Sequence, residues 1–196
     1  MSLILASKSA ARRAVLDGAG VTYEARVAGV DEDAVKTALL AEGAGPRDIA
    51  DAVAELKAIR VSAGRPDFVI GSDQTLDLNG DLYDKAETLE AARERLKLLR
   101  GKTHKLHSAV VVAKDGAPIW REVVTCSLTM RDFSDAFLED YLAAEGAQAL
   151  GSVGCYRLEG PGAQLFSKIE GDYFAILGLP LMGLLDLLRR HGEIAA

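Results

Sequence analysis

"SLILASKSAARRAVL", residues 2–16, sets the fold of the rest. Leu3 to Ala6 is an apolar run of strand length. It stops at a pair of serines, Ser7 and Ser9. Either can cap a following helix, because a serine oxygen accepts hydrogen bonds from exposed first-turn amides. Ala11, Val15, Leu16 and Ala19 then recur at helical spacing and define an inward face. A strand passing into a helix through a short polar turn is the opening of an α/β unit. Arg12 and Arg13 are out of place in it, since the start of a helix is already partly positive. Free amides, two hydroxyls and an arginine fork together make an anion site. A plain serine cap with two solvated arginines accounts for the same residues equally well.

Working outward, residues 17–33, "DGAGVTYEARVAGVDED", hold a glycine-bearing stop, a second short strand and an acidic cluster read as a loop. Residues 45–64, "GPRDIADAVAELKAIRVSAG", read as a helix with Pro46 in its first turn and Gly64 at its end. Residues 67–83, "DFVIGSDQTLDLNGDLY", begin as a buried strand, then alternate, and turn at Asn79-Gly80. A helix capped by Thr88 and two strands about Asp115-Gly116 follow. Ser134 caps another helix, and residues 151–166 form a glycine-rich stretch with little regular signal. The last helix carries Arg189, Arg190 and His191 in its final turn, where positive charge is favoured. No repeat, low-complexity tract or linker interrupts this order. The pattern predicts a mixed sheet covered by helices, an α/β fold, with residues 1–196 forming a single domain.

The 196 residues are 49% hydrophobic and 27% charged, the balance of a globular protein. The net charge of -6 and 6% aromatic content argue against a nucleic-acid-binding module. A small anionic ligand needs only a local basic pocket and stays open. No apolar run approaches the roughly 20 residues that span a bilayer, and the N-terminus does not read as a signal peptide. Cys126 and Cys155 lack Cys-x-x-Cys spacing and read as free structural thiols of a reducing cytoplasm.

Few residues carry chemistry. Asp73 closes the apolar run "VIGSDQ" and is expected at a strand's C-terminal end, where ligands of α/β sheets collect. There a carboxylate binds Mg²⁺ or takes a proton from water, or simply caps a turn. Asp31, Glu32 and Asp33 can supply a second metal ligand or form solvated surface. Lys57 and Lys85 can reach a phosphate or lie on the surface. Glu159, Gln164, Lys168 and Glu170 are the polar groups of the glycine-bearing segment that can face a ligand. His104 and His107 fall on opposite faces of a strand, which argues against a zinc site. Gly-x-Ser-x-Gly is missing, so no serine nucleophile is indicated. The P-loop pattern is missing as well.

Six of these pieces, in order along nearly the whole chain, resemble the Maf family of nucleotide pyrophosphatases. They are "LILASKSAARRAVL", "GVDED", "AELKA", "VIGSDQ", "YDKAET" and "KIEGDYFAILGLPL". The resemblance implies a two-lobed Maf/ITPase-like α/β fold, with an extended mixed sheet and a cleft between the lobes. It implies hydrolysis of a nucleoside triphosphate to the monophosphate and pyrophosphate with a divalent metal, Mg²⁺ or Mn²⁺. By matching position, Asp73 would be the general base and would hold the metal together with Glu32. Ser7, Ser9, Arg12, Lys57, Lys85 and Lys168 would contact substrate.

Gln74 and Glu159 resemble the branch acting on 7-methyl-GTP and related nucleotides, and would read the base. A carboxylate accepts hydrogen bonds from a guanine edge and repels the carbonyls of uracil or thymine. Ala10 and Ala11 replace a proline and a larger side chain of the family pattern, and Lys85 lacks the usual flanking glycine and proline. A homodimer is an expectation of the resemblance alone. The competing reading is a nucleotide-binding regulator of cell division with little catalysis, which would need Arg12 and the lysines but not Asp73 and Glu32.

Overall fold

The computed structural model describes residues 2–195. β1 (Leu3–Leu5), α1 (Ala10–Gly18) and β2 (Glu24–Ala25) come first, followed by α2 (Glu32–Ala41) and α3 (Pro46–Ser62). β3 (Phe68–Leu78) and β4 (Asp81–Tyr83) form a hairpin, and α4 (Leu89–Leu99) follows. The long strands β5 (Thr103–Lys114) and β6 (Ala117–Met130) form a second hairpin. α5 (Asp135–Glu145), β7 (Phe166–Glu170), α6 (Tyr173–Ile176) and α7 (Leu181–Arg190) complete the order. Asn79 and Gly80, and Asp115 and Gly116, adopt the positive φ that two-residue hairpin turns require.

The seven strands form one mixed sheet, ordered β2-β1-β3-β5-β6-β7, with β4 also pairing with β3. β1 runs parallel to β2 and β3, and every other pairing is antiparallel. The sheet is flanked by helices and does not close into a barrel. Among the described residues no helix is long and apolar enough to cross a membrane.

β3 organises the site. One edge pairs with β5 from Val69 to Asp77. The other edge pairs with β1 through Ile70 and with β4 from Leu76. Among the described residues, positions 71–75 therefore have no strand on that edge, and the sheet is notched there. Asp73 lies in the notch, in the middle of β3 rather than at a strand end. The antiparallel partner β5 carries β3 onward after its parallel partner stops. The alternation expected up to Asn79-Gly80 is this continuation, whereas the strand end expected at Asp73, after the apolar run, is not there.

Alternation then sorts the neighbours of the notch. Odd positions of β3 face α3: Gly71 sits against Ala54 and Ala58, and the Thr75 hydroxyl donates to the Pro46 carbonyl at 2.8 Å. Even positions face the segment around α6: the Ser72 hydroxyl donates to the Gly178 carbonyl at 3.1 Å. Apolar clusters lie on either side of the notch. One gathers Leu76, Leu96, Leu106 and Leu128, and the other gathers Leu5, Leu16, Ile70 and Leu184. Each such leucine contributes about 1.5–3 kcal/mol on burial, so both margins of the notch are firmly held.

Candidate active site

The notch opens into a cleft of about 1060 Å³, lined by the β1–α1 junction, the start of α2, β3, the segment after β4, and residues of the 148–159 and 176–178 stretches. Its centre is one ammonium group. Lys57, buried on α3, donates to Asp73 Oδ1 at 2.9 Å and lies 2.8 Å from Glu32 Oε2. Asp73 is only 4% exposed, and its Oδ2 is buried with no hydrogen-bond partner among the described residues. Acidic residues 31–33 are not a loop, as sequence suggested. Asp31 caps α2 through the Ala34 amide at 3.1 Å, and Glu32 begins the helix.

The arginines of α1 find their compensation here. Ser9 caps the helix and accepts from the Arg12 amide. The Arg12 side chain is buried, donating from Nε to the Gly178 carbonyl at 2.8 Å and from a terminal nitrogen to Ser7 Oγ at 3.3 Å. Burial pulls the guanidinium below its usual pKa, opposed by the charges of Asp73 and Glu32. Arg13 donates instead to the Ser7 carbonyl at 3.3 Å. Both cations have acceptors that cross the junction, so the arrangement is neither a bare cap nor a pair of solvated arginines. Ala10 and Ala11, the first residues of α1, line the same cleft.

Lys85, an exposed residue on the segment after β4, also lines the cleft. Its ammonium is held below the ordinary lysine value, first by the desolvating surroundings and then by Arg12, against the pull of Asp73 and Glu32. Gln74 also lines the cleft, and its amide nitrogen faces Ser108 Oγ at 2.8 Å and the carbonyls of Ile176 and Ala175 at 3.0 and 3.1 Å. Glu159 is exposed at the cleft mouth, where a smaller apolar recess lined by Tyr173, Phe174 and Leu177 adjoins it. Lys168 is not brought to this site. It lies on β7, exposed, and pairs with Glu170 at 2.9 Å. Among the cleft residues that the sequence reading did not single out are Lys36 on α2 and its ion-pair partner Asp84.

The donor set suits a hard divalent cation. Two carboxylates from different elements already converge on one cationic group, and carboxylate oxygens are the ligands Mg²⁺ and Mn²⁺ prefer. Among the described residues no group of three or more His, Cys, Asp or Glu side chains is gathered that could hold a metal ion, so the protein offers this pair of carboxylates only.

Residues 2–191 match the family model described as Maf-like protein. A nucleoside triphosphate pyrophosphatase of Caulobacter vibrioides is 63% identical over 97% of this chain and 96% of its own length. A 7-methyl-GTP pyrophosphatase of Brucella abortus is 50% identical over 97% of this chain and 96% of its own. A second protein of that name, from Rhizobium meliloti, is 49% identical over 99% and 98% of the two chains.

Proposed function

The chain belongs to the Maf-like protein family, and on that premise we propose that it hydrolyses nucleoside triphosphates to the monophosphate and pyrophosphate, with Asp73 as the general base. The carrying observation is the divided Asp73 carboxylate. Oδ1 is fixed by Lys57, while Oδ2, on a residue that lines the cleft, is buried with no hydrogen-bond partner among the described residues. An oriented carboxylate with one free oxygen is placed to accept a proton from water. The water oxygen forms a bond to phosphorus, the anhydride between the α- and β-phosphates breaks, its electrons leave with pyrophosphate, and the proton goes to Oδ2.

The chemistry asks mainly for positioning and positive charge, because little covalent work falls to the protein. Arg12, Lys57, Lys85 and the α1 amides would receive the phosphates, with the Ser7 and Ser9 hydroxyls holding that junction in shape. Asp73 and Glu32 would hold Mg²⁺ or Mn²⁺, which when bound neutralises phosphate charge. The buried free thiols Cys126 and Cys155 fit work in a reducing cytoplasm.

Among nucleotides we favour 7-methyl-GTP. Glu159 at the mouth of the cleft offers acceptors to a guanine edge, and methylation at N7 adds a positive charge that a carboxylate attracts. The relatives named for that activity support the same choice. A regulator without catalysis is not favoured, because it leaves the Glu32–Lys57–Asp73 arrangement unused. Incubation with GTP, 7-methyl-GTP, UTP and dTTP, with Mg²⁺ or Mn²⁺, and measurement of pyrophosphate tests both levels. Release from none of them would end the enzyme reading. Release from UTP or dTTP in preference to 7-methyl-GTP would end the base assignment alone.

A further inference from the structure

α2 buries an unusual residue. A surface helix ordinarily turns an apolar stripe inward. Of the ten residues of α2, the one that is buried is Lys36. Its ammonium pairs with the Asp84 carboxylate, on the segment that leads from β4 to Lys85. That segment is fixed from the other side: Arg95 on α4 donates to the Asp84 carbonyl at 2.8 Å and to the Val153 carbonyl at 2.9 Å, and stacks over Tyr83. Burial alone would lower the Lys36 pKa, but Asp73, Asp84 and Glu32 outweigh it and raise the value, so the group is charged.

Glu32 and Lys36 are four apart on α2 and share a face. Glu32 reaches Lys57, and Lys36 reaches Asp84. The start of α2 is thus fastened at two points, one to α3 and one to the segment after β4 that also lines the cleft. We propose that Lys36 is a positioning residue: its ion pair with Asp84 latches α2 to that segment and holds Glu32 in register with Asp73, Lys57 and Lys85. This rests on the reading of the cleft as a nucleotide site. It adds that the Glu32 carboxylate depends on a residue outside the motifs.

Lys36→Met keeps length and apolar bulk while removing the charge, so it separates the latch from packing. Asp84→Asn removes the partner at a half-exposed position where folding is not at risk. Amide hydrogen exchange should rise in residues 32–41 of either variant, with no nucleotide present. Affinity for a non-hydrolysable nucleoside triphosphate analogue with Mg²⁺, measured by calorimetry, should fall about tenfold in both, the usual cost of losing a supporting contact. The double variant should be no worse than either single one, and Lys36→Arg should restore binding. Unchanged exchange and affinity in Lys36→Met would overturn the latch. A silent Asp84→Asn beside a weakened Lys36→Met would also overturn it, because Lys36 would then act on the phosphates directly. Wild-type protein inert toward every nucleotide would defeat the hydrolase reading, while the exchange comparison would still decide the latch.

Discussion

Lys57 donates to one oxygen of Asp73 at 2.9 Å and leaves the other buried without a hydrogen-bond partner among the described residues. Buried ion pairs rarely add net stability, because desolvation offsets much of the attraction. A buried, half-satisfied carboxylate is harder still to explain as scaffolding. It makes sense where the free oxygen has a proton to receive. The Maf-like chain holds this pair at a notch in its sheet, with Glu32 on the same ammonium.

Lys57→Met would leave two carboxylates without their common cation. Breaking a buried pair in this way costs about 3–5 kcal/mol, so denaturant unfolding should show a large loss of stability. Millimolar Mg²⁺ should restore part of it, and more than it adds to the wild type, because a divalent ion can replace the ammonium between the carboxylates. Equal Mg²⁺ effects on both proteins would count against Asp73 and Glu32 as metal ligands.

Gly71→Ala should uncouple α3 from β3. A Cβ built at Gly71 lies 2.1 Å from the Ala54 carbonyl oxygen and 2.6 Å from the Ala58 nitrogen, both backbone atoms that cannot turn aside. We expect a loss of about 3 kcal/mol in urea unfolding and a matching fall in activity, since Lys57 and Asp73 sit on the two separated elements. Gly18→Ala, where a Cβ meets nothing within 4 Å, is the control and should be neutral or slightly stabilising.

His104 should make the fold acid-sensitive. Burial holds its pKa down at about 4, against about 6.5 in an unfolded chain. The unfolded state then binds the extra proton as pH falls below about 6.5, so stability declines from there to about pH 4 and levels off below that. The effect is on the order of 3 kcal/mol. His104→Gln, which can still reach the Tyr156 hydroxyl that His104 Nε2 meets at 2.7 Å, should flatten this part of the melting-temperature profile. An unchanged profile would show that other groups govern acid unfolding.

Lys168→Ala should leave turnover and KM within about twofold of wild type, as for an exposed residue distant from special features. Lys168 belongs to a matching motif and yet points to solvent on β7. This limit of sequence reading is physical: a motif fixes the path of the backbone, while strand alternation decides which side chain faces the cleft. The opening strand–serine–helix turn and the two hairpin turns were legible, because their signals are local. Asp73, Glu32, Lys57, Lys85 and Arg12 were legible as separate candidates, and the fold brings them to one cleft. Lys36 was not. Its partner lies 48 residues away, and nothing local marks a lysine for burial. α2 itself was missed, since its apolar positions form no clear inward stripe.

The most direct test is the rate of pyrophosphate release by Asp73→Asn at saturating nucleoside triphosphate with Mg²⁺. Asparagine keeps the shape and a hydrogen-bonding oxygen but cannot take the proton. We expect a loss of at least about 100-fold, the lower bound for removing a general base, with analogue binding retained. A variant that released pyrophosphate at the wild-type rate would contradict the role of Asp73 on which the mechanism rests.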